Sequence, residues 1–249
     1  MPRTPSGGWI TLFPSLYRRT FSPEIPTIYI FKPRGVTHFS GVSVQDRRPY
    51  RLRSIKMIDR FLEGNKHFLE EDFGKDPDHY GPLASSQHPE VLWIGCSDSR
   101  VNPERITGAK AGQIFVQRNI GNIVPVHDWN FATVLEYAVN HLKVGDIVVC
   151  GHSDCGAIKA LDHESKDAYV PLWLNNAMEA KRRVDAKIQA PKNPEEEKNR
   201  LRLIELENVA LQIEHLRTYP PVRAAEKEGR IQIHGLYFDL ASGELKKIL

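Results

Sequence analysis

Residues 91–100, VLWIGCSDSR, constrain the chain more than any other stretch. A short apolar run ends at Gly95 and gives way to a cysteine, an acid and a base. Such a run reads as a strand buried on both faces, as in a parallel sheet covered by helices, with its end opening into a site. If the extended backbone continues, Cys96, Asp98 and Arg100 alternate onto one side. A second cluster, Gly151-His152-Ser153-Asp154-Cys155-Gly156, follows another apolar run at 146–150. Between them lie a third apolar stretch, 113–119, and a helical spacing of Phe131, Val134, Leu135, Ala138 and Leu142 over 130–142. Gly145 ends that helix. Helix 130–142 and strand 146–150 therefore continue a βαβ pattern with right-handed crossover, and neighbouring parallel strands end at one sheet edge. The two polar clusters are expected to meet there.

The remainder supports an α/β domain: a mostly parallel central sheet of four to five strands with helices on both faces, plus an N-terminal helical arm. Apolar residues at helical spacing predict an amphipathic helix over 54–73, broken near Gly64-Asn65. Residues 76–88 read as a turn-rich connection, and Pro103 marks a loop. Longer helices are predicted over 172–188 and 195–218, a short one from Pro221, a strand over 231–235 and a closing hairpin over 245–249. No apolar run is long enough for a membrane span.

Charge divides the chain at about residue 53. Residues 1–53 carry nine Lys or Arg against two acids, whereas 54–249 carry 25 against 29. The mildly acidic second part gives no reason to expect nucleic acid as a partner. The first part is Arg-rich, contains Ser and has no acid before Glu24. It has the composition of a mitochondrial transit segment, which predicts the matrix as destination. A basic tail or a packing arm in a cytoplasmic protein is the alternative. Two domains are thus expected, a basic extension over 1–53 and an α/β domain over 54–249.

Three cysteines make no disulfide framework, and two of them, Cys96 and Cys155, sit in the polar clusters. Two thiolates and one imidazole, from Cys96, His152 and Cys155, form a ligand set suited to one zinc ion per chain with a fourth position open. Packing cysteines or a structural zinc would also use such residues, but neither cluster offers a fourth Cys or His. Cys150, inside an apolar run, reads as core. Asp98 beside the metal could orient a nucleophilic water, and Arg100 could hold Asp98 ionised. An ordinary surface ion pair is the alternative for those two, outweighed because both closely follow a proposed ligand. No G-x-G-x-x-G follows a predicted strand, which removes the usual dinucleotide site.

Taken together, C-S-D-S-R-V at 96–101, F-V-x-R-N-I-G-N at 115–122, E-Y-A-V at 136–139 and G-H-S-D-C-G-A at 151–157 resemble the β-class carbonic anhydrases. The resemblance covers about 55–247. It implies zinc on Cys96, His152 and Cys155, a catalytic Asp98–Arg100 dyad, and reversible hydration of carbon dioxide to bicarbonate by zinc-bound hydroxide. It also implies substrate contacts from Gln87, Phe115, Val124, Tyr137 and the Gly156 amide, and a homodimer or homotetramer. Trp93, Gly95 and Arg118 match a bicarbonate regulatory pocket, although Phe238 stands where that pocket has a tyrosine. Hydrolysis of carbonyl sulfide or carbon disulfide on the same site, or zinc binding without turnover, are the alternative functions.

Overall fold

In the computed structural model, residues 49–249 are described. The targeting reading of 1–53 therefore lies almost wholly outside the described residues. The chain divides into two units, Met1–Asp59 and Arg60–Leu249, and the second holds the whole sheet. No described helix is long and apolar enough to cross a membrane.

Five strands build the sheet: β1 (Val91–Cys96), β2 (Ile114–Asn119), β3 (Asp146–His152), β4 (Gln232–Phe238) and β5 (Leu245–Lys247). Their order is β2-β1-β3-β4-β5. The first four run parallel and β5 closes antiparallel on β4. Gly95 pairs with Cys150, so Cys96 ends beside the end of β3. This adjacency is what the expectation of one shared sheet edge required.

The helices are α1 (Pro49–Phe68), α2 (Pro77–Leu83), α3 (Pro103–Thr107), α4 (Trp129–Glu136), α5 (Gly156–Lys159), α6 (Val170–Leu174), α7 (Met178–Asp185), α8 (Pro194–Leu216) and α9 (Pro220–Lys227). Leu92, Ile94, Ile147 and Val149 point to one face of the sheet, where they pack with Phe131 and Leu135 of α4, Val209 and Ile213 of α8, and Val222 of α9. Trp93, Val148, Cys150 and Phe238 point to the other face, with Ile106 of α3 against them. The alternation follows from the period of two along each strand.

Several expectations are corrected. The first helix begins at Pro49 and continues past Gly64 into a π-helical turn, Leu69–Phe73. Nothing lies near the vacant side of Gly64, and one glycine costs a helix only about 1 kcal/mol. The connection over 76–88 contains α2, entered through Pro77. The Pro103 loop is α3: Asn102 accepts from the Arg105 N–H and Pro103 sits at the first turn. The helix expected over 172–188 is two helices, because Asn176 turns its side chain onto the Trp173 carbonyl between α6 and α7. Apolar residues Phe61, Leu62, Leu69 and Phe73 remain exposed.

Candidate metal centre

Cys96 closes β1 and His152 closes β3, so strand pairing sets these two ligands side by side. Asp154 then adopts a left-handed conformation, φ 60°, turning the chain so that Cys155 comes back toward His152. Aspartate tolerates that region better than most residues. The Ser153 amide donates to the Phe238 carbonyl at 2.9 Å and its hydroxyl accepts from Leu240 N at 2.8 Å, which fixes the turn to β4. Potential ligand atoms of Cys96, His152 and Cys155 all lie within 4.8 Å of one another, and all three residues are buried.

The donor set suits a metal cation. His152 Nδ1 lies 2.9 Å from the Ser153 carbonyl, which can only accept, so Nδ1 carries the proton and Nε2 keeps its lone pair. That Nε2 is buried without a hydrogen-bond partner. Two thiols this close cannot both ionise without a cation between them. The Cys96 thiol is lowered from its ordinary value, first by its hydrogen bond with Cys155, against burial and with help from the Gly121 N–H. Cys155 is pushed up by the Cys96 thiol and by burial. A dication would reverse that opposition and could be held by both as thiolates. Cys150, pushed up to about 12 by burial, belongs to the core on the other sheet face.

Beyond Cys96 the extended backbone stops, so the expected alternation does not bring Asp98 and Arg100 together. A turn does. Asp98 Oδ1 accepts from the Arg100 backbone N–H and from its Nε, each at 2.9 Å, and Oδ2 accepts from Nη2 at 2.7 Å. This two-point pair holds the Asp98 carboxyl well below the usual carboxylate range, despite partial burial. Asp98 Oδ2 is also 3.9 Å from His152 Nε2. Arg100 is restrained a second time by Asp154, whose carboxylate and carbonyl accept at 3.1 and 3.2 Å. Asp154 in turn pairs with Lys159.

The other predicted site residues are distributed unequally. Gly156 adjoins Cys155 and opens α5 on an exposed surface. Val124 is fully buried among Leu92, Ile94 and Phe131. Phe115 pairs with Leu92, four residues before Cys96, about 13 Å away along β1. Its ring lies 6.0 Å from that of Tyr137. Tyr137 and Gln87 line an open depression of about 600 Å³ with Leu83, Ser86 and Gly112. Gln87, Phe115 and Tyr137 are thus together, at the opposite sheet edge from the metal cluster. Trp93 and Gly95 share a face: a Cβ on Gly95 would meet Trp93 Nε1 at 2.7 Å, and that Nε1 is buried without a partner. Arg118 donates to the Cys96 and Asp98 carbonyls at 2.8 and 2.7 Å.

Sequence reasoning missed Glu205. Its carboxylate is buried, accepting the Cys155 N–H at 2.8 Å and the Tyr237 hydroxyl at 2.6 Å, and burial raises its pKa. Among the many charges of α8 it looks like one more solvated acid. The signal was its spacing with Asn208, Gln212 and His215, which places four polar residues on one helix face.

The carbonic anhydrase family model matches residues 91–245. A carbonic anhydrase of Emericella nidulans is 37% identical over 76% of this chain and 82% of its own length. One from Pseudomonas aeruginosa is 38% identical over 74% of this chain and 84% of its own. Among solved structures, a tetrameric β-carbonic anhydrase of Sordaria macrospora has a TM-score of 0.72 at 34% identity, covering 78% of this chain and 97% of that one. With the matched segment holding β1 to β4 and all three candidate ligands, the chain belongs to the β-class carbonic anhydrase family.

Proposed function

We propose that this enzyme hydrates carbon dioxide reversibly to bicarbonate and a proton on a zinc ion held by Cys96, His152 and Cys155, with Asp98 and Arg100 as its catalytic pair. Membership of the carbonic anhydrase family supports the reaction itself. The observation that carries the finer reading is a restrained, ionised carboxylate 3.9 Å from the buried, unpartnered His152 Nε2. Zinc would supply a Lewis acid that makes a bound water acidic at neutral pH. Asp98, fixed beside His152 Nε2, is placed so that its carboxylate would accept a hydrogen bond from such a water and orient it toward the electrophilic carbon. Arg100 keeps Asp98 ionised and in place, and Asp154 keeps Arg100 from swinging away. Metal analysis with stopped-flow carbon dioxide hydration tests this; a zinc-loaded chain without turnover sinks it. Carbonyl sulfide and carbon disulfide assayed beside carbon dioxide separate the hydrolase reading.

Substrate contacts from Gln87, Phe115 and Tyr137 require a second copy, because in one chain they lie at the far edge of the sheet. Phe61, Leu62 and Tyr137 are exposed apolar residues that such a copy would cover. A homodimer or a larger assembly of dimers is the reading this supports, and light scattering checks it. Val124 and the Gly156 amide complete the proposed pocket.

Bicarbonate regulation through Trp93, Gly95 and Arg118 is a second reading, favoured by the unpartnered Trp93 Nε1. Phe238 in the same cluster offers no hydroxyl, and the Arg118 guanidinium is already committed to two carbonyls. Activity at low pH that does not change with added bicarbonate refutes it. For residues 1–53 we retain mitochondrial targeting, on composition. A reporter fused to that segment and left in the cytosol refutes it.

A further inference from the structure

Helix α8 buries polar side chains where apolar ones would pack with less cost. Glu205, Asn208 and Gln212 are each almost wholly inaccessible, at 3%, 1% and 0% exposure. Their spacing of three and four residues puts them on one face. A buried polar group is tolerated when hydrogen-bonded, so its partners indicate what it is for.

Those partners lie on the turn that carries Cys155 and on the loop after β2, whose Gly121 touches Cys96. Glu205 takes the backbone N–H of Cys155 at 2.8 Å. Asn208 Nδ2 donates to the Gly121 carbonyl at 3.1 Å, and the N–H of Gly121 donates to Cys96 Sγ at 3.4 Å. Gln212 links to the side-chain oxygen of Asn208 at 2.9 Å and takes the Val124 N–H at 2.8 Å. His215, one turn on, lies 3.1 Å from the Val124 carbonyl through Nδ1. The close approach has its own requirement: a Cβ on Gly151 would meet Val209 of α8 at 2.7 Å. Glycine at the end of β3 lets the helix come near enough for Glu205 to reach Cys155.

We propose that α8 is the positioning helix of the metal centre, with Glu205 and Asn208 setting the separation and orientation of the Cys155 and Cys96 ligands from one buried face. The role is one of positioning, since neither residue is placed against the metal or substrate. It rests on the reading of Cys96, His152 and Cys155 as metal ligands. Tyr237, donating to the second oxygen of Glu205 at 2.6 Å, ties the same support to β4.

The test is zinc and cobalt affinity of the full chain, measured by competition with a chromophoric chelator, with the cobalt absorption spectrum and melting temperatures of the metal-loaded and metal-stripped protein. Outer supports of metal ligands typically contribute about 10–100-fold in affinity, and Glu205→Ala should fall in that range with a changed cobalt spectrum. Glu205→Gln keeps an oxygen for the Cys155 N–H and should recover to within a few-fold of the parent. Asn208→Ala should weaken binding about tenfold through Cys96. If Glu205→Ala does not fold, Tyr237→Phe, which unpairs one Glu205 oxygen, should weaken binding several-fold in its place. Parental affinity and spectrum in the folded variants, with equal melting losses in both metal states, would overturn the proposal. A parent chain that binds cobalt in thiolate coordination yet hydrates no carbon dioxide refutes the catalytic reading and leaves α8 in its positioning role. A parent chain that binds neither metal overturns both.

Discussion

The two ends of β1 make an instructive contrast. At the C-terminal end, one chain gathers Cys96, His152 and Cys155, restrains Asp98 with Arg100, and holds the surrounding loops from α8. At the N-terminal end, Gln87 and the half-exposed Tyr137 line an open depression, with the Phe115 ring beside that of Tyr137. The first end is self-sufficient because adjacent parallel strands deliver their loops to one place. The second presents an amide and two aromatic rings, apart from the candidate ligands. On the proposed function, an active site divided in this way would make the chemistry a property of the chain and substrate capture a property of the assembly.

The largest expected effect is at the self-sufficient end. Cys96→Ser should lose bound zinc and carbon dioxide hydration together, by more than about a thousandfold in rate. Metal analysis beside stopped-flow rates checks it, and a loaded, active variant removes Cys96 from the ligand set. Asp98→Asn should keep its zinc yet lose about 10²–10⁴ in turnover, the range for a positioned acid–base group. Near-parental turnover would leave that carboxylate without a role in the chemistry.

The contrast itself is tested by mixing. Gln87→Ala should lower kcat/KM about tenfold with metal content unchanged, the loss of one substrate hydrogen bond. Co-refolding it with Cys96→Ser should then give activity above the average of the two alone, since hybrids regain one intact site. No rise on mixing would mean that both ends serve the same chain.

The smallest effect concerns stability around α8. Arg200 binds Asp162 and Asp185 and is largely buried, joining the segment after α5 and the end of α7 to α8. Its hydrogen bonds hold both carboxyls below their usual value, against burial. Carboxyls depressed in the folded state stabilise it above their unfolded pKa near 3.8, and the contribution is lost as pH falls through their lower folded values. Arg200→Ala should therefore cost about 2 kcal/mol at pH 7 and progressively less toward pH 2, read by denaturant unfolding. A loss independent of pH would assign Arg200 to packing alone.

Much of the self-sufficient end was legible in the sequence. The apolar runs before Cys96 and His152 predicted strands, and their parallel pairing brought the ligands together. The Asp98–Arg100 partnership was legible too, but not its cause, because alternation predicts direction only while a strand continues. The split helix at Asn175-Asn176 was hidden because a side-chain hydrogen bond, and no proline or glycine, interrupts it. Glu205 was hidden because an acid on a charged helix has no local mark of burial.

By itself, the sequence determined the α/β class, the residue types of a candidate metal site and the membership of a family with recognisable motifs. These depend on periodicity and on chemistry carried by single residues. Only the tertiary structure decided that Asp98 is restrained by a turn, that α8 grips the Cys155 turn and the loop whose Gly121 touches Cys96, and that Gln87 and Tyr137 stand away from the metal cluster. Those are matters of distance between segments far apart in the chain. They follow from strand register and helix packing, which no local pattern encodes.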